Sequence, residues 1–338
     1  MEKVNQKFDW IVIITFLAVC IFVLVSFLIE PEILKIQNLT GKLPDQGPEQ
    51  EKAITMIFVG DIMLDRGVEY VIQQHNDWKW PFLKVVDELR KADILFGNLE
   101  SVISDKGTKV GSIYSFRAEP ETIEGLTFAR FDVLSLANNH AFDYTVEALK
   151  DTFVRLKIAG IDFVGADLNE DGAFSTTVKQ IKETKIAFLA YTNLGPYGWR
   201  AGSNNPGIAW IDENDFLKIK EDIKNAKQES DVLIVSLHAG IEYETEPNQF
   251  QKDFSKMAID AGADLVIGHH PHAVQSYEKY KNGWIFYSLG NFVFDQAFSE
   301  ETMKGQIVKV LIENKKIKQV IPINISINQQ FQPEIKTP

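Results

Sequence analysis

Short apolar, β-branched runs that stop at a glycine, asparagine or histidine recur along the chain, alternating with segments of helical spacing. Strand-like runs occupy residues 54–59, 93–96, 131–137, 161–164, 232–237, 265–267 and 285–289. Between them, residues 80–92, 144–158, 215–226 and 250–261 space apolar side chains three and four apart, the period of a helix with one buried face. Residues 178–181 and 186–192 read as a hairpin around Glu183-Thr184, and residues 306–327 alternate as a second hairpin does. This alternation predicts an α/β or α+β sandwich with sheet inside and helices outside. No internal repeat interrupts it, and residues 328–338 read as a frayed tail.

The ends of these strands are chemically unusual. Five of the six histidines fall in Asn138-Asn139-His140, Ser236-Leu237-His238-Ala239-Gly240 and Gly268-His269-His270-Pro271-His272. Ligands gather at strand ends in α/β sheets, and imidazole is the commonest protein metal ligand. In His270-Pro271-His272 an extended backbone, favoured before proline, turns both imidazoles to one side and His269 to the other. Asp61, after Gly60, suits a ligand leaving a strand by a sharp turn, although an aspartate there is equally a helix N-cap. Asn98 and Glu100 offer an amide and a carboxylate, or merely a polar loop. Asn139 beside His140 suits a ligand next to a general acid, with Asp143 placed to fix the His140 tautomer. Asn291 and Asp295 suit groups that orient ligands, Glu242 and Tyr243 are pocket or surface residues, and the aromatic loop 195–200 reads as a packed surface loop rather than a cover for a cleft. The mixed nitrogen and oxygen set, without thiolate, points to one or two divalent ions of Mn, Zn or Fe.

Composition narrows the partners. The chain has 338 residues and a formal net charge of −12, against the surplus of Lys and Arg that nucleic acid requires. An anionic partner would need local compensation, for which Arg66 and Arg117 are candidates. The single cysteine, Cys20, excludes an internal disulfide. Residues 11–29 form an uncharged apolar run whose length matches the roughly 30 Å hydrocarbon core. Lys3 and Lys7 precede it, so residues 1–10 are expected in the cytoplasm, 11–29 as a membrane anchor, 30–52 as a tether and 53–327 as an extracellular domain. A cleaved signal peptide, a lipoprotein signal at Cys20 and a buried core helix are the weaker alternatives.

Taken in order, Gly60-Asp61-Ile62-Met63-Leu64, Asn98-Leu99-Glu100, Asn138-Asn139-His140-Ala141-Phe142-Asp143-Tyr144, His238-Ala239-Gly240-Ile241-Glu242-Tyr243, Gly268-His269-His270-Pro271-His272 and Tyr287-Ser288-Leu289-Gly290-Asn291-Phe292 resemble the CapA family of bacterial poly-γ-glutamate capsule biosynthesis proteins. The resemblance spans nearly all of residues 54–327. It implies the four-layer α/β/β/α sandwich of calcineurin-like metallophosphoesterases, behind an N-terminal transmembrane helix. It further implies metal ligands at Asp61, Glu100 (or Asn98), Asn139, His238, His270 and His272, with His140 catalytic and supported by Asp143. Arg66, Arg117 and Asn291 are then candidate substrate contacts. Two positions depart from the wider superfamily: Met63 replaces a histidine and Asn98 an acid, so one metal loses a ligand unless Asp65 replaces it. The implied partners are the membrane, the synthase subunits and the anionic polymer. The alternatives are a free-standing extracellular hydrolase and a non-catalytic assembly scaffold.

Overall fold

The computed structural model describes residues 53–336. The expected cytoplasmic segment, anchor and tether lie outside the described residues, and so do the last two residues. Among the described residues no helix is long and apolar enough to cross a membrane.

Two mixed sheets carry the site. In the first, Ile54–Ile62, Ile94–Leu99, Val133–Ser135 and Asp162–Val164 run parallel. Lys304–Glu313, Lys316–Ile327 and Pro333–Ile335 extend it antiparallel on the side of Ile54–Ile62. In the second, Thr184–Thr192, Val232–His238, Leu265–His269 and Gly283–Phe286 run parallel, flanked by antiparallel Thr177–Ile181 and Tyr277–Tyr280. Successive side chains of a strand face opposite sides, so a strand buried on both faces is apolar throughout. Met56 and Phe58 thus join Phe96, Phe188, Ile234 and Ile267 in a core between the sheets, where the Phe96 and Phe188 rings stack at 5.6 Å. Ile57 and Val59 face outward, against Val68, Ile72, Leu149 and Leu156 of helices Arg66–His75 and Thr145–Ile158. Leu189, Leu233 and Val235 pack outward against helices Phe216–Gln228 and Gln249–Ala261. The layers therefore run helix, sheet, sheet, helix.

The arrangement of strands and helices departs from the sequence expectations in four places. Residues 80–92 do not form one helix: a short turn at Trp80–Phe82 containing Pro81 is followed by Val86–Leu89, and neither has a side-chain cap. The apolar spacing was about burial, since Phe82, Val85, Val86 and Leu89 are all buried. The tail is not frayed throughout, because Pro333–Ile335 adds an edge strand and Gln332 donates to the Trp80 carbonyl at 2.7 Å. The expected strand 285–289 belongs to a segment that changes sheets. Gly283–Phe286 closes on the second sheet, and Asn291–Val293 then pairs with Asp61 and Ile62 in the first. Finally, Gly60 is not a turn: Ile54–Ile62 continues through it with a shift of register before Asp61. A Cβ at Gly60 would lie 1.9 Å from the Gly290 carbonyl oxygen, so glycine is needed for close approach.

Candidate metal centre and cleft

The parallel strands of both sheets end on one cluster. Register pairs Asp61 with Asn98 and with Asn291 in the first sheet, and His238 with His269 in the second. Asp61, Asn98, Glu100, His238, His269, His270, His272 and Asn291 are all buried. Burying so many polar groups is costly unless each is paired or coordinates a cation.

Most are paired. The Asn98 amide donates to Asp61 Oδ1 at 2.8 Å and lies 3.1 Å from His238 Nδ1, while Asn98 Oδ1 accepts from Asn138 at 3.2 Å. His238 Nε2 lies 2.7 Å from Asn139 Oδ1. His272 Nδ1 lies 2.9 Å from Asn291 Oδ1, whose amide nitrogen donates to Gln296 and to the Thr302 carbonyl. Glu100 Oε1, His270 Nδ1 and both ring nitrogens of His269, in contrast, are buried with no hydrogen-bond partner. Around Glu100 Oε1 stand Nε2 atoms of His140, His238 and His272 at 3.7, 3.9 and 3.7 Å. These separations are too long for hydrogen bonds. For His238 and His272 they match ligand atoms sharing one cation, which stand roughly 3–4 Å apart when each bond is about 2.0–2.2 Å, whereas the His140 ring is held by Asp143 on the open side. Glu100, His238 and His270 form one group of mutually close ligand atoms, and Asp61, Glu100 and His272 another.

The electrostatics agree with that fit. Burial, followed by the neighbouring Asp61 charge, pushes the Glu100 carboxyl well above its usual range. Burial would raise Asp61 too, but the His269 and His272 imidazoles, each 3.4 Å from one of its oxygens, outweigh it and hold Asp61 well below that range. Burial and the adjacent His270 keep His238 neutral well below the usual imidazole range. Burial and His272 lower His270 to about 3. Neutral imidazoles keep a lone pair for a metal, and a cation would relieve the Asp61–Glu100 repulsion. The residues fit a divalent ion.

The backbone of the histidine loop corrects the sequence expectation. His270 is not extended: its φ is +97°, and that of His272 is +55°. Such conformations cost about 1–3 kcal/mol and persist where surrounding structure enforces them. Here the His270 N–H donates to Asp61 Oδ2 at 3.2 Å, and the Pro271 carbonyl accepts from Tyr243 N–H at 2.7 Å. The bend leaves His269 inside the cluster, with Nδ1 3.4 Å from Asp61 Oδ1. Alternation along an extended segment had turned it away.

His140 sits where the cluster opens. Its Nδ1 lies 2.7 Å from Asp143 Oδ2, and that oxygen also accepts from the Phe116 N–H at 2.7 Å. The pairing leaves Nε2 toward Glu100. A cleft of about 790 Å³ begins here, lined by His140, Asn139 and His272, with Tyr114, Phe116 and Trp199 among its aromatic walls. Trp199 stacks on Phe142 at 5.4 Å, so the aromatic loop is packed as expected, and through Gly195, Pro196 and Trp199 it borders the cleft as well. Of the expected substrate contacts, only Arg66 lines the cleft; it pairs with Asp295 and lies over Phe116 at 4.7 Å. Arg117 instead stacks on Tyr144 at 4.3 Å, outside the cleft lining. Asn291 is buried and holds His272, a positioning task rather than a substrate contact. Asp65 does not stand in for the missing ligand, because its oxygens accept from Arg66 N–H and Arg117 N–H. Met63 is turned into the outer core of the first sheet. Sequence reasoning missed Phe116 and Phe298 in the cleft, which carry no local signal of chemistry.

The comparisons with known proteins bear on this arrangement. The family model described as "Bacterial capsule synthesis protein PGA_cap" matches residues 55–296. The capsule biosynthesis protein CapA of Bacillus anthracis is 34% identical over 296 residues, covering 86% of this chain and 72% of that protein. The PGA biosynthesis protein CapA of Bacillus subtilis (strain 168) is 34% identical over 253 residues, covering 74% of this chain and 65% of that protein. Among solved structures, a hypothetical protein from Thermus thermophilus superposes with a TM-score of 0.52 at 15% identity, covering 80% of this chain and 98% of that one, a likeness of fold alone. With the family model matching most of the two-sheet unit and CapA relatives at this identity, the chain belongs to the bacterial capsule synthesis protein family, PGA_cap.

Proposed function

We propose that this protein is a metal-dependent hydrolase of the poly-γ-glutamate capsule pathway, built on the metallophosphoesterase plan and acting at the outer face of the cell membrane. The observation that carries the metal reading is the buried, unpartnered Glu100 Oε1 with the His238 and His272 Nε2 atoms at 3.9 and 3.7 Å. Asp61, Glu100, Asn139, His238, His270 and His272 would hold one or two divalent ions of the Mn, Zn or Fe kind. Bound there, such an ion supplies Lewis acidity and makes water a nucleophile near neutral pH. The remaining chemistry falls to the chain. Asp143 holds the His140 ring through Nδ1, and Nε2 is left to pass a proton to the leaving group. The aromatic walls exclude water and orient the part of the substrate that does not react. Arg66 is neutralised by Asp295 and Arg117 lies elsewhere, so an anionic polymer entering this cleft depends on the bound cations for charge compensation.

The family membership supports the capsule pathway, with the synthase subunits and the polymer as partners. The apolar run at residues 11–29 supports a retained single-pass anchor, with residues 1–10 inside and 53–327 outside. The test is elemental mass spectrometry on the full chain beside a His270→Ala/His272→Ala variant, together with cell-bound polyglutamate in a deletion strain carrying either. Metal lost and capsule lost together support the proposal. Metal lost with capsule intact favours a free-standing hydrolase, and a wild-type chain without metal favours an assembly scaffold. Protease accessibility of residues 53–327 on intact cells tests the orientation.

A further inference from the structure

Glu242 has no part in the set described so far. It lies in the loop that leaves Val232–His238, and it is exposed. The loop is folded back onto the histidine loop: Ala239 N–H donates to the His269 carbonyl at 3.2 Å, and Tyr243 N–H to the Pro271 carbonyl at 2.7 Å. Tyr243 takes a φ of +68° to do so, a conformation rare for a non-glycine residue and maintained here by that bond. The result is that a Glu242 oxygen and one ring nitrogen each of His270 and His272 lie within 4.8 Å of one another. An exposed acid at the mouth of a cleft is ordinary in so acidic a chain. What distinguishes this one is its company: His270 is only 5% exposed and its Nδ1 has no hydrogen-bond partner. Met63 offers no ligand, while Glu242 adds a carboxylate from the loops of the opposite sheet.

We infer that Glu242 is a metal-binding carboxylate, forming with His270 and His272 a cation position at the mouth that shares one histidine with each of the floor groups, Glu100–His238–His270 and Asp61–Glu100–His272. Oxygen with two imidazoles suits Zn or Mn. The inference rests on the metal reading of the floor. It is tested by titrating the metal-stripped full-length chain in detergent with MnCl₂ and with ZnCl₂, by calorimetry and, for Mn, by electron paramagnetic resonance. Circular dichroism checks that each variant folds. The wild type is expected to bind two ions. Glu242→Gln is expected to lose one or to weaken it at least tenfold, Glu242→Asp to recover part of it, and His238→Ala to impair the other. Unchanged binding in Glu242→Gln, with wild-type binding intact, overturns the mouth position and leaves the floor standing. A wild-type chain that binds no ion overturns both.

Discussion

The floor of the cleft and its mouth share the same loops but are held in different ways. On the floor, Asp61, Asn98, His238 and Asn291 are buried, and each is fixed by side-chain hydrogen bonds that cross between strands or sheets. At the mouth, Tyr243 and Phe298 are 44% and 65% exposed and tied by a ring contact and a single backbone bond from Tyr243, while Tyr114, 59% exposed, bonds through its backbone to the Ser112 hydroxyl. Such a floor keeps charged groups at fixed separations with little reorganisation, which catalysis and metal binding require. A mouth of exposed aromatics adapts to what enters and can change without disturbing the fold.

The largest effect that should break this contrast is on stability. Gly60→Ala brings a methyl group against the Gly290 carbonyl, and a loss of about 3 kcal/mol or more is expected in chemical denaturation. Gly198→Ala, in the aromatic loop at the mouth with open space around it, should shift stability by less than about 0.5 kcal/mol. Similar losses in the two would erase the distinction. Next comes His140→Ala, which should lower turnover of a chromogenic phosphoester by ~10²-fold or more while metal content stays unchanged. Metal loss in this variant would make His140 a ligand of the floor instead. Asn291→Ala removes the partner of His272 Nδ1, and about a tenfold loss of metal affinity by calorimetry is expected. Trp199→Ala, in the wall, should raise KM several-fold with kcat nearly constant, as for an interaction made equally in ground and transition states. A fall in kcat alone would give the wall a part in the chemistry.

The smallest effect lies outside both regions. Burial, then the Asp65 and Glu119 carboxylates, raise Glu69 from its ordinary value of 4.5 to about 7. Between about pH 4.5 and 7 the native chain therefore binds more protons here than the unfolded chain, and stability falls as pH rises through that window. Glu69→Gln should flatten the fall, seen as a smaller drop in Tm from about pH 5 to about pH 8. An identical drop would show that Glu69 is not strained at high pH.

Much of this was legible in the residues. The parallel strands were visible as apolar runs, because a strand buried on both faces has to be apolar along its length. The helices Thr145–Ile158 and Gln249–Ala261 were visible because one buried face imposes a period of about 3.6. Chemistry-bearing side chains at the ends of those strands were visible as well, since the polypeptide has to place them where the sheet stops. The helix Arg66–His75 was not, because its start is set by Asp65 acting as N-cap, and the sequence offered Asp61 for that same task.

Order along the chain set which residues end the strands, and hence that Asp61, Glu100, Asn139, His140, His238, His270 and His272 were available to one site. The packing of the two sheets set how they face one another. It turned His270 to positive φ through a bond to Asp61, drew His269 inward, gave Asn98 to Asp61 as a strut and left Glu100 Oε1 open to three imidazoles. It also engaged Asp65 and Arg117 elsewhere and brought Glu242 over the histidine loop. The reason is one of range. Strand and helix periodicity is imposed by near neighbours in the chain, whereas each of these contacts joins residues from different strands or from different sheets, and exists only once both sheets have packed.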